Sequence, residues 1–178
     1  MSDNVKIILS KIELNLTINR LSFELIENHK TFENSVIIAL QPRGVQLAKS
    51  IHNILEKNIN SSIKLGLLDT TFFRDDFRRR KDVILPNKTK IRFSLEGKKV
   101  ILIDDVLFTG RSIRSALDAL ISFGRPSLIE LLVLIDRRFS RELPIQPTYI
   151  GKSIDVIDNE YVVVDSDNKN VILLNKEL

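Results

Sequence analysis

Val100-Ile-Leu-Ile-Asp-Asp-Val-Leu-Phe-Thr-Gly-Arg-Ser-Ile-Arg114 decides how the rest of the chain is read. Four apolar residues without polar alternation are the pattern of a strand buried on both faces, as in a parallel sheet covered by helices. Asp104 and Asp105 arrive at its carboxyl end. Thr109-Gly-Arg-Ser112 then opens a helix over 111–123 with Ile113, Ala116, Leu117 and Leu120 on one stripe, ended by Gly124 and Pro126. In an open α/β sheet, ligands bind at the carboxyl ends of the strands. Gly110 lets backbone approach an anion, the hydroxyls of Thr109 and Ser112 can donate to phosphate oxygens, and a helix N-terminus favours negative charge. Two carboxylates just ahead of such a cradle can accept hydrogen bonds from vicinal hydroxyls, so the stretch reads as a ribose 5-phosphate site. Neither Gly-x-Gly-x-x-Gly nor a P-loop is present, which leaves dinucleotides and nucleoside triphosphates without support. An Asp-Asp pair also opens receiver domains of two-component systems. A receiver needs most of its domain after the pair, and only 73 residues follow Asp105.

Outward from this stretch, apolar runs alternate with helical patterns. Ser10 and Glu13 form a capping box, and Leu14, Ile18, Leu21 and Leu25 then recur at helical spacing, which predicts a helix over 11–29. Strands are predicted over 36–40, 63–68, 100–103 and 128–135. A helix from Gly44 to about Lys57 carries Ala48, Ile51 and Leu55 on one face. Strand, helix, strand in this order means an α/β fold with a central parallel sheet flanked by helices. From Tyr149 onward the chain reads as short β segments, 161–164 and 171–174, separated by Asp, Asn and Ser turns. Residues 70–97 lack a helical period and exceed an ordinary connection, so they are expected to form a flexible lid or β-hairpin excursion.

Composition bounds the class. With 178 residues, 43% hydrophobic and 28% charged, the chain suits one domain over 1–178. Its longest apolar runs are five residues, against roughly 20 for a membrane span, so no membrane partner is expected. Zero cysteines exclude disulfides, thiol nucleophiles and thiolate metal sites, and a cytoplasmic location is the natural expectation. The net charge is +4, but Arg74 to Arg92 alone carries +5, from eight basic and three acidic residues. A positive excess held in one segment suits a local anion better than nucleic acid spread over the surface.

Ile103 to Ser112 resembles the phosphoribosyl-pyrophosphate signature of type I phosphoribosyltransferases. Val36-Ile-Ile-Ala-Leu-Gln-Pro-Arg-Gly-Val-Gln-Leu-Ala48, Asp69-Thr-Thr-Phe-Phe-Arg-Asp-Asp76, Gly124-Arg-Pro126, Arg141-Glu-Leu-Pro-Ile145 and Tyr149-Ile-Gly-Lys-Ser-Ile154 follow in order. Together they resemble the family of pyrimidine operon attenuation regulators that double as uracil phosphoribosyltransferases. The blocks span roughly residues 10 to 155, and the last 20 or so match poorly. The resemblance implies the type I phosphoribosyltransferase fold, with a β-hairpin lid and a small C-terminal β hood. It implies transfer of ribose 5-phosphate from phosphoribosyl pyrophosphate to a nucleobase, uracil foremost, giving UMP and pyrophosphate, with Mg²⁺ carried by the pyrophosphate. A homo-oligomer is expected.

Residue by residue, the resemblance matches Arg43 and Gly44 to the pyrophosphate loop and Arg74, Asp75 and Asp76 to the closing loop. Asp104, Asp105, Thr109, Gly110, Arg111 and Ser112 match the sugar-phosphate site, and Asp136 to Ile154, with Arg137, the frame of the base. Arg43, Arg74 and Mg²⁺ would balance the departing pyrophosphate; Asp104 and Asp105 would face a sugar turning cation-like at C1′. No resident metal site is assigned. Two departures bear on RNA. Asp136-Arg-Arg-Phe-Ser-Arg-Glu-Leu-Pro144 is one residue longer than the family's Asp-Arg-Gly-His-Arg-Glu-Leu-Pro and lacks its His, and Phe23 stands where a His is common. These positions belong to the family's RNA surface, where Arg20 and Lys30 are the firm basic groups left, so RNA binding is disfavoured. An RNA-binding attenuator with vestigial catalysis, a transferase for another base and a non-catalytic sensor of the sugar phosphate remain as alternatives. Arg43-Gly44 alone is also an ordinary strand-to-helix turn, and Arg78 to Lys81 also reads as a solvated loop. His29 and His52 read as surface or satisfied histidines, and the Asn15, Asn60 and Asn87 sequons as chance.

Overall fold

The computed structural model describes residues 5–73, 87–156, 160–165 and 169–175. Its elements are β1 (Lys6–Leu9), α1 (Lys11–His29), β2 (Ser35–Leu40), α2 (Gly44–Ile59), β3 (Leu65–Leu68), β4 (Lys99–Leu107), α3 (Arg111–Leu120), β5 (Leu128–Arg138), β6 (Tyr149–Asp155), β7 (Glu160–Asp165) and β8 (Asn170–Asn175). Strands β3-β2-β4-β5-β6, in that spatial order, form a parallel sheet.

All six residues of β2 are buried, and alternate ones feed two separate cores. Ile37 and Ala39 pack with Leu21 and Leu25 of α1 and Ala48, Ile51 and Leu55 of α2, while Val36, Ile38 and Leu40 pack with Ile113, Ala116 and Leu120 of α3. A strand covered on both sides cannot show hydrophobic alternation, which is why these runs are unbroken. The expected capping box holds α1: Glu13 N–H donates to the Ser10 hydroxyl, and Ser10 N–H donates to the Glu13 carboxylate at 2.8 Å.

Several boundaries move. β3 begins at Leu65 rather than 63, because His52 takes the Ile63 carbonyl at 2.7 Å just ahead of it. The α-helix after Gly110 ends at Leu120 and tightens into a 3₁₀ turn over Ile121–Phe123 before Gly124 at φ 121°. β4 runs to Leu107 and β5 to Arg138, since the two pair through Asp104↔Val133 and Leu107↔Asp136. The acidic pair therefore sits within a paired strand, not beyond it.

The C-terminal hood is a second, antiparallel sheet of order β1-β8-β7. One of its strands is N-terminal: Lys6 pairs with Leu173 and Ile7 with Ile172. Four residues are too few for a strand to announce itself without its partner. Of the expected hairpin, the described part is a 3₁₀ turn at Thr71–Phe73 and an antiparallel bridge between Leu67 and Lys90; residues 74–86 lie outside the described residues.

Candidate active site

Asp104 and Asp105 project from the carboxyl-terminal half of β4 and are buried, 8% and 6% exposed. Asp105 N–H donates to Asp104 Oδ1 at 3.0 Å, and Val106 N–H to Asp105 Oδ1 at 2.7 Å, so each carboxylate is aimed by the backbone just after it. Burial pushes the Asp104 carboxyl well above the ordinary carboxylate range, and the neighbouring Asp105 adds to the rise. Asp105 is raised too, by burial, with the nearby Arg43 guanidinium opposing it. Two crowded carboxyls that resist ionising are primed to favour any positive charge brought between them.

Gly44 starts α2 against this strand. A Cβ at Gly44 would stand 2.4 Å from the Ile103 carbonyl oxygen and 3.1 Å from Asp104 Cα. The Arg43-Gly44 turn can thus lie on the acidic strand only with glycine there. Arg43 itself is exposed at the N-cap of the helix.

Beyond β4, Gly110 at φ 90° turns the chain into α3, a conformation that other residues rarely adopt. Arg114 N–H donates to the Gly110 carbonyl at 2.9 Å, and Arg111 N–H to the Thr109 hydroxyl at 3.4 Å. Thr109 precedes the Gly110 N-cap, and Arg111 and Ser112 are the first two residues of the helix. Arg111 extends sideways, its Nε 2.6 Å from a Glu142 carboxylate oxygen.

Arg141 fastens the segment after β5 to this loop. Its guanidinium donates to the carbonyls of Leu107 and Arg137 at 3.2 and 3.0 Å, to Ile145 at 3.1 Å, to Phe108, and to the buried Asp136 carboxylate. Glu142 N–H also donates to the Thr109 carbonyl at 3.1 Å. Arg137 is buried and stacks 4.0 Å over the Phe108 ring. The loop carrying the extra residue puts Phe139 into solvent at φ 62°, and Arg138 pairs with Asp155 at 2.8 and 2.9 Å.

The structure therefore brings Gly44, Asp104, Asp105, Thr109, Gly110, Arg111, Ser112 and Arg137 to the carboxyl end of the sheet, with Arg43 close enough for its charge to act on the acids. Arg74, Asp75 and Asp76 lie outside the described residues. Asp69, Arg141 and Glu142 hold the site's frame; Arg141 and Glu142 fall within the stretch expected to frame the base, whereas Asp69 carries no individual expectation. Asp69, at the end of β3, accepts from Thr71 N–H at 3.0 Å and Asn87 N–H at 3.1 Å, clasping both ends of the segment between them. The available signal for Arg141 and Glu142 is the Arg-Glu-Leu-Pro run that they open. The expectation for the histidines holds. His29 meets Ser35 at 2.9 Å, Tyr149 at 3.2 Å and Glu130 at 3.1 Å, beside a depression of about 380 Å³ at the opposite, amino-terminal ends of the strands.

A buried acid pair on a strand followed by a glycine-capped helix start is the arrangement expected of a phosphoribosyltransferase, and the phosphoribosyl transferase domain model matches residues 4–169. The Bifunctional protein PyrR of Caldicellulosiruptor bescii is 41% identical over 175 residues, covering 97% of this chain and 96% of the relative. PyrR of Gloeothece citriformis is 44% identical over 164 residues, 92% of each. The chain belongs to the PyrR family of phosphoribosyltransferases. Its fold is the type I phosphoribosyltransferase fold: a solved hypoxanthine phosphoribosyltransferase of Trypanosoma cruzi superposes with a TM-score of 0.71 at 17% identity, each chain 97% covered. One from Staphylococcus aureus gives 0.66 at 19% identity, covering 89% of this chain and 81% of that one.

Proposed function

We propose that the chain joins uracil to phosphoribosyl pyrophosphate, giving UMP and pyrophosphate. The observation that carries this reading is the buried Asp104–Asp105 pair, with Gly44 packed on its backbone and the Thr109–Ser112 turn following it. The two carboxylates hold the ribose hydroxyls and oppose charge building at C1′ as the pyrophosphate leaves. The 5′-phosphate sits on the N–H groups and hydroxyls of Thr109, Gly110, Arg111 and Ser112. Arg43 and the Gly44 turn face the pyrophosphate. Arg74, with Asp75 and Asp76, closes over the substrates and keeps water from a reactive sugar. Arg137, stacked on Phe108, frames the base.

The donor set suits Mg²⁺ brought by the substrate, because that ion is commonly held by one or two carboxylates together with phosphate oxygens. When bound, it supplies positive charge to the departing pyrophosphate. Asp104 and Asp105 would face it.

RNA binding is the second function of this reading, favoured by the family and opposed by the local charge. Arg20 is spent on the carbonyls of Ile150 and Gly151 at 2.9 and 2.7 Å, and Lys152 on the carbonyl of Ile8 at 2.9 Å, leaving fewer cations for phosphates. The one chain over 1–178 acts as a single domain in the cytoplasm; no helix among the described residues is long and apolar enough to cross a membrane.

Incubation with phosphoribosyl pyrophosphate, Mg²⁺ and each of uracil, hypoxanthine, guanine, xanthine and adenine tests the reading. Pyrophosphate release with uracil alone is expected. Release with a purine instead would reassign the base, and release with none would reduce the site to a sugar-phosphate sensor.

A further inference from the structure

Asp69, directly after β3, is a buried carboxylate whose two oxygens are taken up by backbone. Oδ1 accepts from Thr71 N–H at 3.0 Å and Oδ2 from Asn87 N–H at 3.1 Å. Oδ2 also accepts from the Asn87 side-chain amide at 3.4 Å, and Asp69 N–H donates to the Thr89 hydroxyl at 3.1 Å. A buried carboxylate stands only with its hydrogen bonds made, and bonds to an ionised acceptor are about twice as strong as neutral ones. One residue further, Lys90 N–H donates to the Leu67 carbonyl at 2.7 Å and Leu67 N–H to the Lys90 carbonyl at 3.1 Å. Residues 87–90 are thereby fixed along the carboxyl end of β3.

That fixed stretch reaches the neighbouring strand. Gln41, directly after β2, donates its N–H to the Leu68 carbonyl at 2.8 Å and its Nε2 to the Lys88 carbonyl at 3.1 Å. Only Pro42 and Arg43 separate Gln41 from Gly44. Gly44 in turn lies so close on β4 that a Cβ there would stand 2.4 Å from the Ile103 carbonyl oxygen. The turn that faces the pyrophosphate is therefore anchored at its far end by β4 and at its near end by Gln41. Asp69 fixes the stretch whose carbonyl receives the Gln41 amide. Two residues between two anchors leave little slack, so a displacement of Gln41 carries Arg43 with it. We infer that Asp69 and Gln41 are positioning residues for the pyrophosphate half of the site, Asp69 by holding residues 87–90 and Gln41 by passing that position to the turn. The inference rests on the phosphoribosyltransferase reading given above and names two side chains to which that reading assigns no substrate contact.

Product inhibition reads the two halves of the site separately. With a labelled base, inhibition by pyrophosphate reports on the turn, and inhibition by the nucleotide product reports on the acid pair and the cradle. Asp69→Asn leaves one of the two backbone amides facing an NH₂ group. The inhibition constant of pyrophosphate should then rise at least about tenfold, while that of the nucleotide stays within about twofold. Gln41→Leu removes one hydrogen bond at a half-buried position and should raise the pyrophosphate constant about fivefold, which keeps the inference open to refutation even if Asp69→Asn does not fold. Because both side chains act through the Lys88 carbonyl, the double variant should lose little more than Asp69→Asn alone. A merely structural role would lower Tm and leave the ratio of the two inhibition constants unchanged, and that result would overturn the inference. So would losses that add in the double variant, or a fall in kcat with the pyrophosphate constant unmoved. A wild-type chain that turns over no base would refute the phosphoribosyltransferase reading and the inference together, a result distinct from an active enzyme indifferent to Asp69→Asn and Gln41→Leu, which overturns the inference alone.

Discussion

Gly44→Ala tests whether the first strand-to-helix turn must touch the acidic strand for catalysis. The added Cβ would fall 2.4 Å from the Ile103 carbonyl oxygen, and an ordinary contact begins near 3.4 Å, so the start of α2 must retreat by about 1 Å. Both obstructing groups, the Ile103 carbonyl and Asp104 Cα, are backbone atoms of a strand paired on both sides, and neither can yield alone. Overpacking of this kind costs about 1–3 kcal/mol of stability. A misplacement of about 1 Å at a reacting geometry costs about 100-fold in rate, or about 2.7 kcal/mol. Gly66→Ala is the control. Its Cβ would meet Ile38 Cδ1 at 2.8 Å and Ile91 Cγ1 at 3.0 Å, side-chain atoms that can rotate away. Both variants should lose a few degrees of Tm, but kcat/KM for phosphoribosyl pyrophosphate should fall steeply in Gly44→Ala and stay within about threefold in Gly66→Ala, a change of roughly 0.65 kcal/mol. If Gly44→Ala keeps kcat/KM, the turn does not position the pyrophosphate.

Other perturbations separate stability from chemistry. Asp104→Asn should abolish most turnover yet raise Tm at neutral pH: the native state holds this carboxyl's proton above its ordinary 3.8, so the ionised form costs stability as pH rises through the native value. The Tm advantage of the variant should shrink on acidification, and a lower Tm at pH 8 would refute the assignment. Arg141→Ala strands the buried Asp136 carboxylate and frees four carbonyls, so urea denaturation should show a loss of about 3–5 kcal/mol, with Arg141→Lys intermediate; a near-neutral Arg141→Ala would mean that the two loops hold together without it. Burial holds the His29 pKa below 6.5, so the fold resists protonating it and loses stability as pH falls from 6.5 through the native value. His29→Gln should flatten the fall in Tm between about pH 7 and 5, and an unchanged slope would place the acid sensitivity elsewhere.

The sequence exposed the sheet because burial on both faces leaves a direct trace: Val36 to Leu40 and Val100 to Ile103 are unbroken apolar runs, and nothing but a covered parallel strand explains them next to helices. It exposed Asp-Asp and Thr-Gly-Arg-Ser for a related reason, since adjacent carboxylates in a buried strand and a glycine at φ 90° before a helix are unusual where they stand. Contacts between distant segments left no such trace. Nothing local marks Lys6–Leu9 as a strand; its partner is Val171 to Leu173, at the other end of the chain. Arg141 looks like any surface arginine until the fold brings the carbonyls of Leu107 and Phe108 beneath it. Asp69 reads as a turn residue until Thr71 and Asn87 are both found on its carboxylate. The groups expected to touch substrate were thus legible one by one, while the groups that hold them in register became visible only through pairing. That division predicts where this chain differs functionally from its relatives. The lengthened segment from Arg137 to Arg141 is fastened to the turn after β4 by the Arg141 guanidinium on the Leu107 and Phe108 carbonyls, by the Arg137 stack on Phe108 and, just beyond it, by Glu142 N–H on the Thr109 carbonyl. A change in base preference should therefore trace to that fastening, and grafting the shorter Asp-Arg-Gly-His-Arg-Glu-Leu-Pro segment onto this frame should shift KM for the base while leaving KM for phosphoribosyl pyrophosphate within about twofold, roughly 0.4 kcal/mol. If both constants move together, the segment acts through the cradle instead of the base.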